Sequence, residues 1–167
     1  MSNALDAPLV IGQLCVMPFQ SPMQSEAPQY IEGKNSSHRC VRLRDGRFHL
    51  VRPGPLTALF YGGDHILVSE PLAAVLRDTC AHCLELHRTE IVQVASGESF
   101  GIYYEVQPHE ELTPEDIDRV SASGFHAWHF RRAHLFVSPE VAERIRQRRF
   151  DDISFSPGFS RFAGALA

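Results

Sequence analysis

Apolar and polar positions alternate over short stretches of this chain, and twice the alternation gives way to a spacing of three and four. Residues 66–68 are a short apolar run of strand type; Leu72, Val75 and Leu76 then recur at helical spacing, and alternation returns at Leu84 and Leu86. The same succession appears 69 positions later, with Leu135, Phe136 and Val137, then Val141, Ala142 and Ile145, then Ile153 and Phe155. Identities hold at that offset for His65 and His134, Val68 and Val137, Ser69 and Ser138, Ala73 and Ala142, and Arg77 and Arg146. Ser69 and Ser138 stand where helix N-caps belong, their hydroxyls able to accept an orphan amide, and Pro71 and Pro139 fall in the first turn, where a missing N–H costs little. The pattern predicts two strand–helix–strand units, 64–92 and 133–159, with helices of about ten residues, each burying one face. The period is too long and the copies too few for a solenoid.

Elsewhere the signals are local. Val41 and Leu43 alternate with arginines, Asp45-Gly46 supplies a two-residue turn, and Phe48 and Leu50 resume the alternation, which predicts an N-terminal β-hairpin. A strand is expected over 56–61 and another through Phe100, Ile102, Tyr104 and Val106. Thr113-Pro114-Glu115-Asp116 has the look of a capping box opening a short helix that Gly124 ends. Residues 1–39 read as an irregular N-terminal segment, apart from a possible strand over 9–17, because Pro18, Pro22 and Pro28 interrupt them. The expected class is α+β, a single domain over 1–167, without the Gly-rich phosphate turns of doubly wound nucleotide-binding folds.

Composition narrows the function classes. The net charge of −4 gives no electrostatic reason to expect nucleic acid. No stretch is long enough to span a bilayer, and residues 1–19 have no basic start before their apolar run, so a cytoplasmic protein without membrane partners is expected. The four cysteines then read as reduced thiols.

Candidate chemistry is sparse. Cys80-Ala81-His82-Cys83 with His87 offers thiolate and imidazole at a spacing suited to one edge of a tetrahedral zinc site. Cys15 and Cys40, the other cysteines, are isolated, and at the repeat offset the motif falls on a helix-to-strand turn. His126, His129 and His134 cluster around Trp128, yet along a strand His126, Trp128, Phe130 and His134 share one face while His129 points to the other. There is no G-x-S-x-G elbow, P-loop, dinucleotide fingerprint or H-E-x-x-H. No cofactor and no metal site is therefore expected, and no catalytic residue is assigned.

Charge is segregated. Residues 98–118 carry Glu98, Glu105, Glu110, Glu111, Glu115, Asp116 and Asp118 with no Lys or Arg, whereas Arg119, Arg131, Arg132, Arg144, Arg146, Arg148 and Arg149 dominate residues 119–149. The two sets could pair with each other within the fold, or the acidic set could face a protein partner.

The stretch of residues 64–162 resembles the double-CXXCG immunity proteins of bacterial polymorphic toxin systems. The likeness lies in Ile66-Leu67-Val68-Ser69 with its helix, in Glu105-Val106-Gln107-Pro108-His109, in the Trp128 region, and in Leu135-Phe136-Val137-Ser138 through Ile153-Ser154-Phe155. The chain has neither CXXCG motif; its one CxxC is followed by Leu84. The resemblance implies a metal-free, non-enzymatic protein that binds and neutralises a cognate secreted toxin, and the seven acidic residues are the expected partner-binding set. The competing expectation is a small metal-binding or hydrolytic enzyme using Cys80, Cys83 and nearby histidines.

Overall fold

Ten strands and two helices are seen in a computed structural model that describes residues 27–117 and 119–160. In chain order these are β1 (Gln29–Gly33), β2 (Cys40–Arg42), β3 (Phe48–Leu50), β4 (Leu59–Tyr61), β5 (Ile66–Ser69), α1 (Glu70–Cys80), β6 (Leu84–Gln93), β7 (Glu98–Pro108), β8 (Ala127–Phe130), β9 (His134–Val137), α2 (Pro139–Gln147) and β10 (Ile153–Pro157). The strands form a six-stranded sheet, β2-β3-β6-β7-β5-β4, and a four-stranded sheet, β10-β1-β9-β8. Neighbours are antiparallel throughout except β3 and β6.

Both expected units have strand, helix and strand in that order, and in each the two strands are kept apart by a third. β5 and β6 both run antiparallel to β7, which lies between them; β9 and β10 both run antiparallel to β1, which lies between them. A hairpin precedes each helix, β4 with β5 and β8 with β9. One apolar core takes residues from both sheets and both helices, including Ile31, Ile66, Leu72, Leu76, Trp128, Leu135, Phe136, Val141 and Ile145, so the described chain is one α+β domain.

Ser69 and Ser138 occupy the N-cap positions with extended backbones, but neither hydroxyl caps its helix. Ser138 is fully buried and its Oγ instead accepts the His126 N–H at 3.2 Å, tying the chain entering β8 to the start of α2.

Three further expectations are corrected. The segment through residue 39 is not irregular throughout: β1 lies within it and is an interior strand of the four-stranded sheet, with Ile31 fully buried. Tyr30 and Ile31 fill the core in only five residues, too short a run for alternation to stand out, and the pairing partners lie more than a hundred positions away. The possible strand over 9–17 lies outside the described residues. The β2–β3 hairpin has a three-residue loop: Leu43 and Arg47 are joined by backbone hydrogen bonding, Gly46 N–H donates to Leu43 C=O, and Gly46 has φ +85°, the bulged form of the turn. Residues 113–117 form turns in place of a helix. Thr113 Oγ1 donates to Asp116 Oδ2 at 2.7 Å, so the capping-box side chains bond to each other and not to helix amides.

The phase of β7 also departs from simple alternation. Val106 and Tyr104 meet the helix-side core as alternation requires, yet Tyr103 and Glu105 are buried on the opposite face and Ile102 is exposed. The six-stranded sheet curls, bringing Phe48, Leu50 and Cys40 of the hairpin together with Phe60, Leu67, Ile91 and Tyr103 in a second cluster behind it.

Candidate functional site

The chain between β7 and β8 is anchored from both sides. His109 N–H donates to Cys83 C=O at 3.0 Å, on the α1–β6 turn, while His129 N–H donates to Glu110 C=O at 3.0 Å and Leu112 N–H to His129 C=O at 2.7 Å, on β8. Leu112 is buried in the core between these anchors. Glu110, Glu111, Glu115 and Asp116 are left exposed, the first two on this anchored stretch and the other two on the turn that follows it, where Asp116 N–H donates to Thr113 C=O at 3.1 Å. Glu111 accepts the Arg131 N–H at 3.2 Å, but among the described residues none of the four forms an ion pair with Lys or Arg.

The other three members of the expected acidic set are not on this loop. Glu105 is only 9% exposed and is gripped by Arg42, with Nη2 to Oε1 at 2.6 Å and Nη1 to Oε2 at 2.9 Å. Burial raises its pKa, but the Arg42 bonds and charge pull harder, so the carboxyl is held below the usual range. It belongs to the fold's interior because the curl of the sheet covers its face of β7. Glu98 opens β7 at the opposite end of the strand, about 34 Å of extended chain from Pro108. Asp118 lies outside the described residues. Nor do the segregated charges neutralise one another: among the described residues no ion pair joins the acids of 98–117 to the arginines of 119–149, and Arg146 pairs with Glu143 of its own helix at 3.7 Å.

Beside the loop lies a polar cleft of about 520 Å³, lined by Arg42, Asp64, Glu105, His109, His129 and Arg132 with Ile66 and residues 106–108. Asp64 Oδ1 lies 2.8 Å from His65 Nδ1, and that contact is the main reason its carboxyl is held low. His65 is buried against Phe48 and against the backbone of Gly62; a Cβ there would come within 1.9 Å of the ring. Burial holds His129 below the ordinary histidine value, so it is neutral near pH 7. Arg132 N–H donates to its Nδ1 at 3.3 Å, which makes Nδ1 the acceptor and leaves the proton on Nε2. Both carboxylates of the cleft are matched by cationic or imidazole partners, an arrangement suited to holding shape and to hydrogen-bonding a docked group.

The cysteine and histidine candidates disperse. Cys80 closes α1 and Cys83 ends the turn before β6, as the repeat offset leads one to expect. Cys83 Sγ lies 3.3 Å from Cys80 O. A hydrogen bond from Cys80 draws the Cys83 thiol below its ordinary range, with help from the Ala127 N–H, His82 and His126 against the opposing effect of burial; Cys80 is pushed up in turn. His87 pairs with Glu85 at 3.1 Å. His126 stacks on Trp128 beside His82, His129 faces the cleft, and His134 lies against Tyr30 and Tyr61. Sequence reasoning missed Arg42, Asp64 and Arg132. Arg42 reads only as one of the arginines alternating with Val41 and Leu43, and Arg132 only as one of the basic set of residues 119–149; only the curl of the sheet brings β2 to the end of β7. No protein-family model, no curated protein and no solved structure matches the chain.

Proposed function

We propose that this protein is an immunity protein of a bacterial toxin system, a non-enzymatic module that neutralises a cognate toxin in the cytoplasm of the producing cell. It docks through the loop bearing Glu110, Glu111, Glu115 and Asp116. The observation that carries the reading is that these four carboxylates are exposed, form no ion pair with Lys or Arg among the described residues, and follow one another on a segment whose start, at His109, Glu110 and Leu112, is bonded to two separate parts of the fold. A surface already ordered loses little conformational entropy on binding, and a strongly signed one speeds encounter with an oppositely charged partner. A basic catalytic cleft, such as that of a nuclease, is its natural complement. Arg131, whose backbone N–H meets Glu111, is of the residue type that anchors such interfaces.

We also infer that the two strand–helix–strand units are copies of one ancestral unit, on the strength of their identities at one offset and their shared strand neighbours. The functional proposal is tested by co-expression with the toxin encoded beside this protein's gene. Survival of the cells and recovery of a stoichiometric complex are expected; cell death with no complex overturns the immunity reading. No helix of the described residues is long and apolar enough to cross a membrane.

A further inference from the structure

The geometry points to a reversible redox-modification site at Cys80 and Cys83, closing as an intramolecular disulfide at the exit of α1. Cys83 N–H donates to Cys80 C=O at 2.9 Å, which makes residues 80–83 a hydrogen-bonded turn. Such a turn keeps its first and last Cα atoms within about 7 Å, inside the range a disulfide spans. The two thiols differ in access: Cys80 is fully buried, whereas Cys83 is partly exposed. That difference sets the order of events.

The Cys83 thiolate attacks one sulfur of a small disulfide such as oxidised glutathione, whose S–S bond breaks and releases one glutathione thiolate. Cys80, giving up its proton, then attacks the Cys83 sulfur of the mixed disulfide and expels the second glutathione. Two protein thiols become one disulfide, and the two electrons and two protons leave in two molecules of reduced glutathione. Interactions that draw the Cys83 thiol down support its role as the attacking group. The position also gives the reaction a structural consequence, because Cys83 C=O holds His109 N–H at the root of the acidic loop. The site stands independently of the docking proposal.

The test is peptide mapping of the full chain after equilibration with oxidised glutathione in excess over reduced, acid quench and alkylation of the remaining thiols. The wild-type protein should yield a linked Cys80–Cys83 peptide that dithiothreitol reopens, with Cys40 recovered as an alkylated thiol; Cys40 is buried, and burial pushes its pKa up to about 11. Cys80→Ser should keep glutathione on Cys83, and Cys83→Ser should leave Cys80 unmodified. Recovery of both wild-type residues as alkylated thiols overturns the proposal, as does glutathione found on Cys80 in preference to Cys83. The wild-type map decides alone should a serine variant fail to fold.

Discussion

The unit around α1 and the unit around α2 have the same layout but draw on the chain differently. In the first, the strand separating β5 from β6 is β7, the next strand along, joined to β6 by a tight hairpin. In the second, the strand separating β9 from β10 is β1, brought from the opposite end of the described chain. The first unit can therefore assemble from contacts near in sequence, whereas the second is complete only when β1 arrives, and its loop-closure entropy is correspondingly larger. The acidic loop sits at the junction, bonded to the α1–β6 turn on one side and to β8 on the other. The site thus depends on both halves.

The largest expected effect breaks the second unit at its inserted strand. Ile31→Ala, in a fully buried side chain of β1, should cost about 2–5 kcal/mol in urea unfolding. Ile102→Ala, at an exposed position of the corresponding β7, should stay within about 0.5 kcal/mol. Equal losses would contradict the buried place of Ile31 in the inserted strand. Next is the tie between the halves: Tyr61 of β4 donates its hydroxyl to Ile31 C=O and accepts the Leu135 N–H at 3.4 Å. Tyr61→Phe leaves those buried groups short of a partner and should cost about 1–3 kcal/mol, measured the same way.

The histidines that share the repeat offset sharpen the comparison further. His65 meets a carboxylate, Asp64, while His134 Nδ1 lies 3.3 Å from the neutral Tyr30 hydroxyl. Burial, with smaller contributions from His38 and Arg131, lowers the His134 pKa to about 4. Its folded-state pKa lies below the unfolded value of about 6.5, so between these limits the unfolded chain takes up the proton more readily. The stability contributed by neutral His134 is complete above about pH 6.5 and is lost as pH falls toward 4. With partial solvent screening the loss should be no more than about 2 kcal/mol. His134→Gln should flatten that slope in unfolding curves taken across the window. The smallest effect separates the two cap serines: Ser138→Ala should cost about 1 kcal/mol because it orphans the His126 N–H, and Ser69→Ala less than about 0.5 kcal/mol.

What could be read from the sequence was what depends on near neighbours. The helices, the β2–β3 hairpin and the strands flanking each helix have their periodicity and turn residues within a dozen positions. β1 was not legible, since a five-residue strand between Pro28 and the turn at Lys34-Asn35 takes its meaning from β9 and β10. Tyr30-Ile31, followed by Gly33, is the one local hint. The turn at 113–117 shows the converse failure: the residue types of a capping box were present, but their side chains bond to each other. Of the acidic set, Glu110, Glu111, Glu115 and Asp116 share a loop because they are close in sequence, while Glu105 is buried by a hairpin more than fifty residues away.

The most direct test of the proposed docking surface is the association rate with the toxin proposed as partner across a salt series, for wild type and for the combined Glu110→Lys, Glu111→Lys, Glu115→Lys and Asp116→Lys variant, with circular dichroism to establish that the fold is retained. Wild-type association should slow as salt rises, and the variant should associate more slowly at low salt with that dependence weakened. A folded variant with unchanged rate and unchanged salt dependence would contradict the acidic-loop interface.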